Sequence, residues 1–403
     1  MTIWALLLLA AACDPAPALK GRGFFEQGRF ADAEAQFRLA VEQPCGLARQ
    51  TSDRIHLAAA LREQNQLPQA AALLDTVSAL AAQPAETQIS YWNGRALIDE
   101  HAGRLSQAEA GFQNAKALLT PSTPVHLHLQ VAANSARLHL RQGHLREAEE
   151  ALLRVQTQPG WRSGNVVAYD LNLAELRRLQ GRPREAESIL RPLLGEAAPV
   201  PAQLRGAIAN NLANLAARRG AHREAETLWE ISNRALREAY GPRHPAVAKG
   251  LNNQAAYLVS RKRYDAAEAL YRQAIAMQED PLLLNNLAVL LHQRARLEEA
   301  EDAYLRAVRL YEQAALPGRD ALQLYGNLAL LAMERKRPAA AIAYFRSFVR
   351  LLPLAVPADE IMLASYLRRY EKLLRSRQEA AEAERVAVLA MRYRVRSALR
   401  VEN

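Results

Sequence analysis

The chain has 403 residues, half of them hydrophobic and 23% charged, a composition that excludes a disordered polymer and a multi-span membrane protein. Aromatics contribute only 6% while Ala, Leu, Arg and Glu dominate, an alphabet that favours helices over strands. The net charge is +10, yet only six of the 52 basic residues are Lys, and an arginine excess alone does not point to nucleic acid; two cysteines exclude a disulfide scaffold and a multi-cysteine metal site.

Residues Ile3 to Ala12 form an apolar run that is followed by Cys13 and then Asp14-Pro15-Ala16-Pro17. Ten apolar residues are too few to span a bilayer but suit the h-region of a secretion signal. Small residues directly before a cysteine resemble a bacterial lipoprotein signal. The resemblance implies cleavage ahead of Cys13, lipidation of Cys13, and a membrane-anchored, extracytoplasmic (periplasmic-side) chain. The run lacks a basic n-region, and Ala10 stands where the pattern has leucine. The alternative is an apolar arm on a cytoplasmic protein.

From Gly21 onward the sequence repeats itself. The alanines Ala33, Ala70, Ala108, Ala148, Ala186, Ala225, Ala267, Ala300, Ala341 and Ala383 recur at spacings of 33 to 42 residues, and glutamate follows in eight of the ten cases. Each unit is expected to be two amphipathic helices, A and B, joined by a short turn. Helix A offers a small residue, such as Ala96, Ala136, Ala174, Ala213, Ala255, Ala288 or Ala329. Helix B begins with the Ala-Glu pair and ends on a bulky group, such as Phe37, Phe112, Trp229, Tyr271, Tyr304 or Phe345. Small and large side chains in fixed phase let helices interlock, and one hairpin cannot bury its apolar face alone, so the units must stack. The turn carries Gly28, Gly103, Gly143, Gly181 or Gly220, where a left-handed helix end favours a residue without Cβ. Asn65, Lys262, Ala295, Lys336 and Gln378 replace that glycine elsewhere and leave the turn geometry open there.

This pattern resembles the tetratricopeptide repeat family, over residues 18 to 400. The stretch Tyr240-Gly-Pro-Arg-His244-Pro245 through Asn253-Gln-Ala255 is similar to the 42-residue repeats of kinesin light chains and many bacterial proteins, in which a Gly-x-x-His-Pro turn extends the link between repeats. The resemblance implies an all-α, right-handed α-solenoid of about ten repeats, with the A helices lining a concave groove and His244 structural. The expected organisation is 1–13 signal, 18–355 solenoid and 356–403 a degenerate C-terminal repeat or cap. The last of these presents Arg385, Arg392, Arg394, Arg396 and Arg400 as a solvated face. The proline-marked links at Pro159–Gly164 and Pro199–Pro201 are the expected breaks.

Asn134, Asn172, Asn211, Asn253, Asn286 and Asn327 each stand two residues before the packing alanine of helix A. Two residues rotate a helix by about 200°, so these amides point away from the hairpin partner and into the groove. A mid-helix Asn costs around half a kcal/mol against Ala, so six in phase call for a return. An amide offers an acceptor and two donors, matching a peptide bond, and in kinesin-light-chain-like and peptide-sensing relatives groove asparagines hold a peptide backbone. The competing reading has these amides bond to neighbouring helices and fix the packing. Arg137, Arg141, Asn214, Arg218 and Lys249 share the groove face with Glu175 and Glu334, a mildly basic surface suited to an acidic peptide.

A second candidate surface is the turn edge. Arg218-Arg219, Arg261-Lys262-Arg263, Arg294 with Arg296, Arg335-Lys336-Arg337 and Arg375 with Arg377 would align as a basic rim for nucleic acid or an anionic membrane. Alternatively these cations neutralise helix dipoles. No phosphate loop, H-E-x-x-H, G-x-S-x-G or Cys-x-x-Cys occurs. His126 and His128 lie two apart on a helix and cannot share a face. Cys45 reads as an isolated apolar filler. The expectation is a non-enzymatic scaffold with no cofactor, metal, small-molecule substrate or nucleic acid, whose partner is a protein or peptide.

Overall fold

The computed structural model describes residues 13–163, 166–195, 200–313, 320–354 and 360–401. The expected signal segment lies outside the described residues apart from Cys13, and so do Gly164 and Pro199. The described residues form ten helical hairpins and no strand. They are α1 Ala16–Glu26 with α2 Phe30–Val41, α3 Leu47–Glu63 with α4 Leu67–Asp75, α5 Ala85–His101 with α6 Leu105–Ala117, α7 Val125–Gln142 with α8 Leu145–Val155, and α9 Val167–Leu179 with α10 Pro183–Leu190. There follow α11 Ala202–Arg218 with α12 His222–Tyr240, α13 Pro245–Ser260 with α14 Tyr264–Met277, α15 Pro281–Gln293 with α16 Leu297–Gln313, α17 Asp320–Glu334 with α18 Pro338–Leu351, and α19 Glu360–Ser376 with α20 Ala380–Val401. Two compact units divide the chain, 1–250 and 251–403. The border falls inside α13, where the sequence carries no linker signal.

Within each unit the hairpins stack as the repeat pattern requires. In the first, α2 packs on α3, α4 on α5, α6 on α7 and α8 on α9, while the A helices α3, α5, α7 and α9 also touch in succession. In the second, α14 packs on α15, α16 on α17 and α18 on α19. All ten phase-setting alanines, from Ala33 to Ala383, have no exposed surface. Their counterparts Ala96, Ala136, Ala213, Ala288 and Ala329 on the A helices are equally buried, and Phe37, Phe112, Trp229, Tyr304 and Phe345 fill the space that the small residues leave. The interlock of small against large side chains is therefore the core of each hairpin.

The turns are uniform. After every A helix one residue adopts a left-handed conformation: the five glycines, with φ from +75° at Gly28 to +82° at Gly220, and equally Asn65, Lys262, Ala295, Lys336 and Gln378, with φ between +56° and +63°. In each turn the next N–H bonds to the carbonyl five residues back at 2.8–3.0 Å, as in Arg29 to Phe24 and Arg296 to Leu291. This is the helix-ending motif for which glycine is preferred. A left-handed non-glycine residue costs roughly 1 kcal/mol, and the stacked hairpins impose it regardless. Ala295→Gly is accordingly expected to raise stability by about 0.5–1 kcal/mol after the flexibility of Gly is discounted. An unchanged or lower urea midpoint would contradict the strain argument.

In four hairpins the glutamate after the phase-setting alanine has a role that the sequence pattern did not disclose. It bridges to the turn of the next hairpin: Glu149 to Arg177 (2.8 Å), Glu187 to Arg219 (3.5 Å), Glu268 to Arg294 and Arg296 (3.0 and 2.7 Å), and Glu301 to Arg337 (2.9 Å) and Arg335. Six of the twelve cations of the candidate basic rim, Arg219, Arg294, Arg296, Arg335, Arg337 and Arg375, are thus paired with the chain's own carboxylates.

Cys45 is not isolated. It is buried and disulfide-bonded to Cys13, 32 residues earlier, tying the segment before α1 to the turn between α2 and α3. This corrects the reading of Cys45 as a lone filler. A sulfur in that bond cannot also carry a thioether-linked lipid, so pairing and lipidation are alternative fates of Cys13.

Candidate functional site

All six repeat-phase asparagines are half-buried on the A helices. In the first unit Asn134 donates to Asn93 Oδ1 (3.0 Å) and Asn172 to the Ala133 carbonyl (2.8 Å). In the second, Asn286 donates to Asn252 Oδ1 (2.8 Å) and Asn327 to Asn285 Oδ1 (3.3 Å), and the Tyr366 hydroxyl donates to Asn327 Oδ1 (2.5 Å). These amides do fix neighbouring hairpins together, as the packing reading has it. The bonds use one N–H each, so the oxygen and second N–H of Asn134, Asn172 and Asn286 remain available. Asn211 and Asn214 have no hydrogen bond among the described residues. The partners Asn93, Asn252 and Asn285 were missed from sequence, although the doublets Asn252-Asn253 and Asn285-Asn286 were a visible sign.

Two of the charged residues expected in the groove, Arg137 and Arg141, meet on one carboxylate in the first unit. Glu100, buried at the end of α5, accepts from Arg137 (2.6 Å) and Arg141 (3.2 Å) on α7. Burial pushes its carboxyl up, but the two guanidinium groups outweigh this and hold it below the usual carboxylate range. Glu63 at the end of α3 is treated the same way: burial raises it, and Arg62 beside it brings it down. Glu175 pairs with Arg178. Arg218 is exposed at the end of α11. Lys249 keeps exposed surface on α13, and its pKa is lowered first by burial of the ammonium and then by the charges of Arg141 and Arg137. In the second unit Glu334 meets His292 (2.7 Å).

The Tyr240–Pro245 turn packs against the first two hairpins. Tyr240 stacks on Phe30 of α2 with ring centroids 5.3 Å apart and on His244 at 4.3 Å, and its hydroxyl donates to Glu63 (3.3 Å). The Ala246 N–H donates to His244 Nδ1 (3.1 Å), so this ring nitrogen is an acceptor; Nε2 then carries the proton and donates to the Glu63 carbonyl at 2.7 Å. The sixth hairpin thereby closes on the first two across about half the chain. His244 is structural, as the family resemblance implies, but its contact is long-range.

Burial lowers the pKa of His244 below its ordinary 6.5, and of His56 likewise. Below pH 6.5 the unfolded chain therefore takes up protons that the folded one resists, and stability falls. The depressed Glu63 and Glu100 add a further loss below about pH 4.5. Urea midpoints are expected to stay level from pH 8 to 7 and drop from 6.5 to 5, less steeply in His244→Gln. A level profile down to pH 5 would contradict this tautomer assignment.

A cavity of about 280 Å³ lies between α6, α7 and α8, lined by Phe112, Val131, Val155, Lys116 and Glu147 on a different face of α7 from Asn134 and Arg137. Among the described residues no three His, Cys, Asp or Glu side chains are placed to hold a metal, and no helix is long and apolar enough to cross a membrane.

Stacked helical hairpins with small-to-large interlock, a left-handed turn residue and polar A-helix faces define a helical-repeat protein. Residues 204–280 and 281–353 match the tetratricopeptide repeat model, so this part of the chain is built of tetratricopeptide repeats. Its fold is similar to that of a Rap protein complexed with competence and sporulation factor, with TM-score 0.57, 13% identity, and 84% of this chain and 98% of that one covered. It is similar also to the apo form of the quorum sensor NprR from B. thuringiensis, with TM-score 0.54 and the same identity and coverage. No curated protein sequence matches the chain significantly.

Proposed function

We propose that the protein is a non-enzymatic scaffold whose A-helix faces hold an extended, acidic segment of a partner protein. The observation that carries this is the free hydrogen-bonding capacity of Asn134, Asn172, Asn211 and Asn214 beside Arg137, Arg141, Arg218 and Lys249 in one unit. The amide groups left over after these bonds can match a peptide backbone, and guanidinium and ammonium groups favour acidic side chains. That a structurally similar Rap protein was solved with a bound factor supports the reading. The rim reading has less behind it, because Arg219, Arg294, Arg296, Arg335 and Arg337 are already paired. An extracytoplasmic location, proposed from the apolar leader, gains support from the Cys13–Cys45 bond, since disulfides persist in oxidising compartments.

Two variants separate gripping from packing. Asn172→Ala removes a bond to the Ala133 carbonyl and is expected to cost about 1 kcal/mol of stability. Asn211→Ala removes none and is expected to leave stability unchanged or slightly raised, since Ala is the better helix former. Against peptides selected from a random library on the wild-type protein, Asn211→Ala is expected to lose about tenfold in affinity, the equivalent of one hydrogen bond. Equal binding by Asn211→Ala would overturn the proposal.

A further inference from the structure

The tenth hairpin departs from the others in what it leaves uncovered. The three most exposed large apolar side chains among the described residues all belong to it: Ile361 on α19, and Val388 and Met391 on α20, exposed by 72%, 69% and 68%. Repeat phase shows what the two α20 positions do elsewhere. Val388 stands five residues after the phase-setting Ala383, and Met391 eight. Five residues after Ala186, Ala267 and Ala341 stand Arg191, Arg272 and Arg346, and each reaches forward to the next hairpin. Arg191 meets Glu224 (2.6 Å), Arg272 meets Glu299 (3.3 Å), and Arg346 meets Glu379 and Glu382 (3.1 and 2.6 Å). Eight residues after Ala341 stands Val349, which packs against the core that the ninth and tenth hairpins share. On α20 the same two stacking positions carry apolar side chains that lie mostly in solvent. Covering such a surface is favourable.

The charges around Val388 select the cover. Glu384 and Arg392 are exposed and make no ion pair or hydrogen bond among the described residues. They stand four residues before and four after Val388, about 6 Å along the helix on either side. Arg385 and Met391 stand three before and three after. A two-fold contact requires a self-complementary surface, on which residue i meets j and j meets i. An α20 laid antiparallel on a second α20, with the axis at Val388, meets that requirement. Glu384 then faces Arg392 of the partner subunit, Arg392 faces Glu384 of the partner subunit, and Met391 lies on the apolar stem of Arg385 of the partner subunit. Parallel pairing would set each of these charges against its own copy, like against like. We infer that the outer face of α20 is an interface for a second copy of this chain, paired antiparallel about Val388. The inference is independent of the proposed peptide-holding face on α7, α9 and α11.

The test is the mass of the full chain in solution, followed by sedimentation velocity across the micromolar range. The wild type is expected to double in mass as concentration rises and to stop there. Val388→Glu, at an exposed position, is expected to keep its helicity and remain a monomer. Glu384→Arg and Arg392→Glu are each expected to remain monomeric alone, because each sets like charges together at both ends of the contact. Mixed one to one, these two variants are expected to pair with each other, since every charged contact is then Arg against Glu. The double variant Glu384→Arg/Arg392→Glu is expected to pair with itself. A wild type that stays monomeric, pairing that survives Val388→Glu, or single-charge variants that fail to recover on mixing would overturn the interface. So would a mass that grows without limit, the mark of a head-to-tail contact.

Discussion

Trp229→Ala is expected to lower the stability of the protein by about 3–5 kcal/mol, a loss in the range of large buried aromatics cut back to alanine. The indole is 1% exposed on α12, in the hairpin whose phase-setting residues Ala213 and Ala225 are completely buried. Nothing small can fill the volume it leaves, because its neighbours are small for the purpose of admitting it. The same helix ends in Tyr240, which holds Phe30 and Glu63, so the loss is expected to reach the first hairpins as well. Urea unfolding followed by circular dichroism would show a lower midpoint with the slope unchanged. A shift smaller than about 1 kcal/mol would mean that the interlock of small and large residues is not what holds the hairpins together.

Loss of the Cys13–Cys45 bond is the second large effect expected. It closes a loop of 32 residues, and loop-closure entropy assigns such a link about 3–4 kcal/mol. Reductant or Cys45→Ser is expected to loosen α1 and α2 before the rest of the first unit, since these two helices make up the bridged loop. Hydrogen exchange would record this as faster exchange confined to residues 16–41 under reducing conditions. Unchanged exchange there would show that packing of Phe37 and Ala33 suffices without the link. Mass spectrometry of the mature chain from its host distinguishes the two fates of Cys13. A mass two hydrogens below that of the reduced chain reports the disulfide, and added acyl mass reports lipidation.

Much of the fold was legible because the repeat imposes one steric demand at every crossing. Ten alanines must be alanine for helices to approach, so phase, hairpin number and helix order could be read from them. The replaced turns at Asn65, Lys262, Ala295, Lys336 and Gln378 adopt the glycine geometry all the same, because stacking overrides local preference. No residue type marks that outcome in advance. The pairing of Cys13 with Cys45 and the closure of Tyr240 and His244 on Glu63 were not legible. Repeat patterns specify nearest neighbours, whereas the latter contacts depend on how small rotations accumulate over five hairpins. Of the site, rotation about a helix axis gives the expectation that the asparagines, Arg137, Arg141 and Lys249 share one face. It could not show that Asn134 and Asn172 also tie hairpins together, or that Glu100 draws both arginines to itself.

Hydrogen exchange in the presence of a selected peptide addresses most directly whether the A helices grip another chain. With the peptide bound at saturation, added protection is expected along α7, α9 and α11, whose amides and cations face it, and little on α8, α10 and α12 behind them. Protection confined to those B helices or to the turn edges, with α7, α9 and α11 exchanging as in the free protein, would contradict the account.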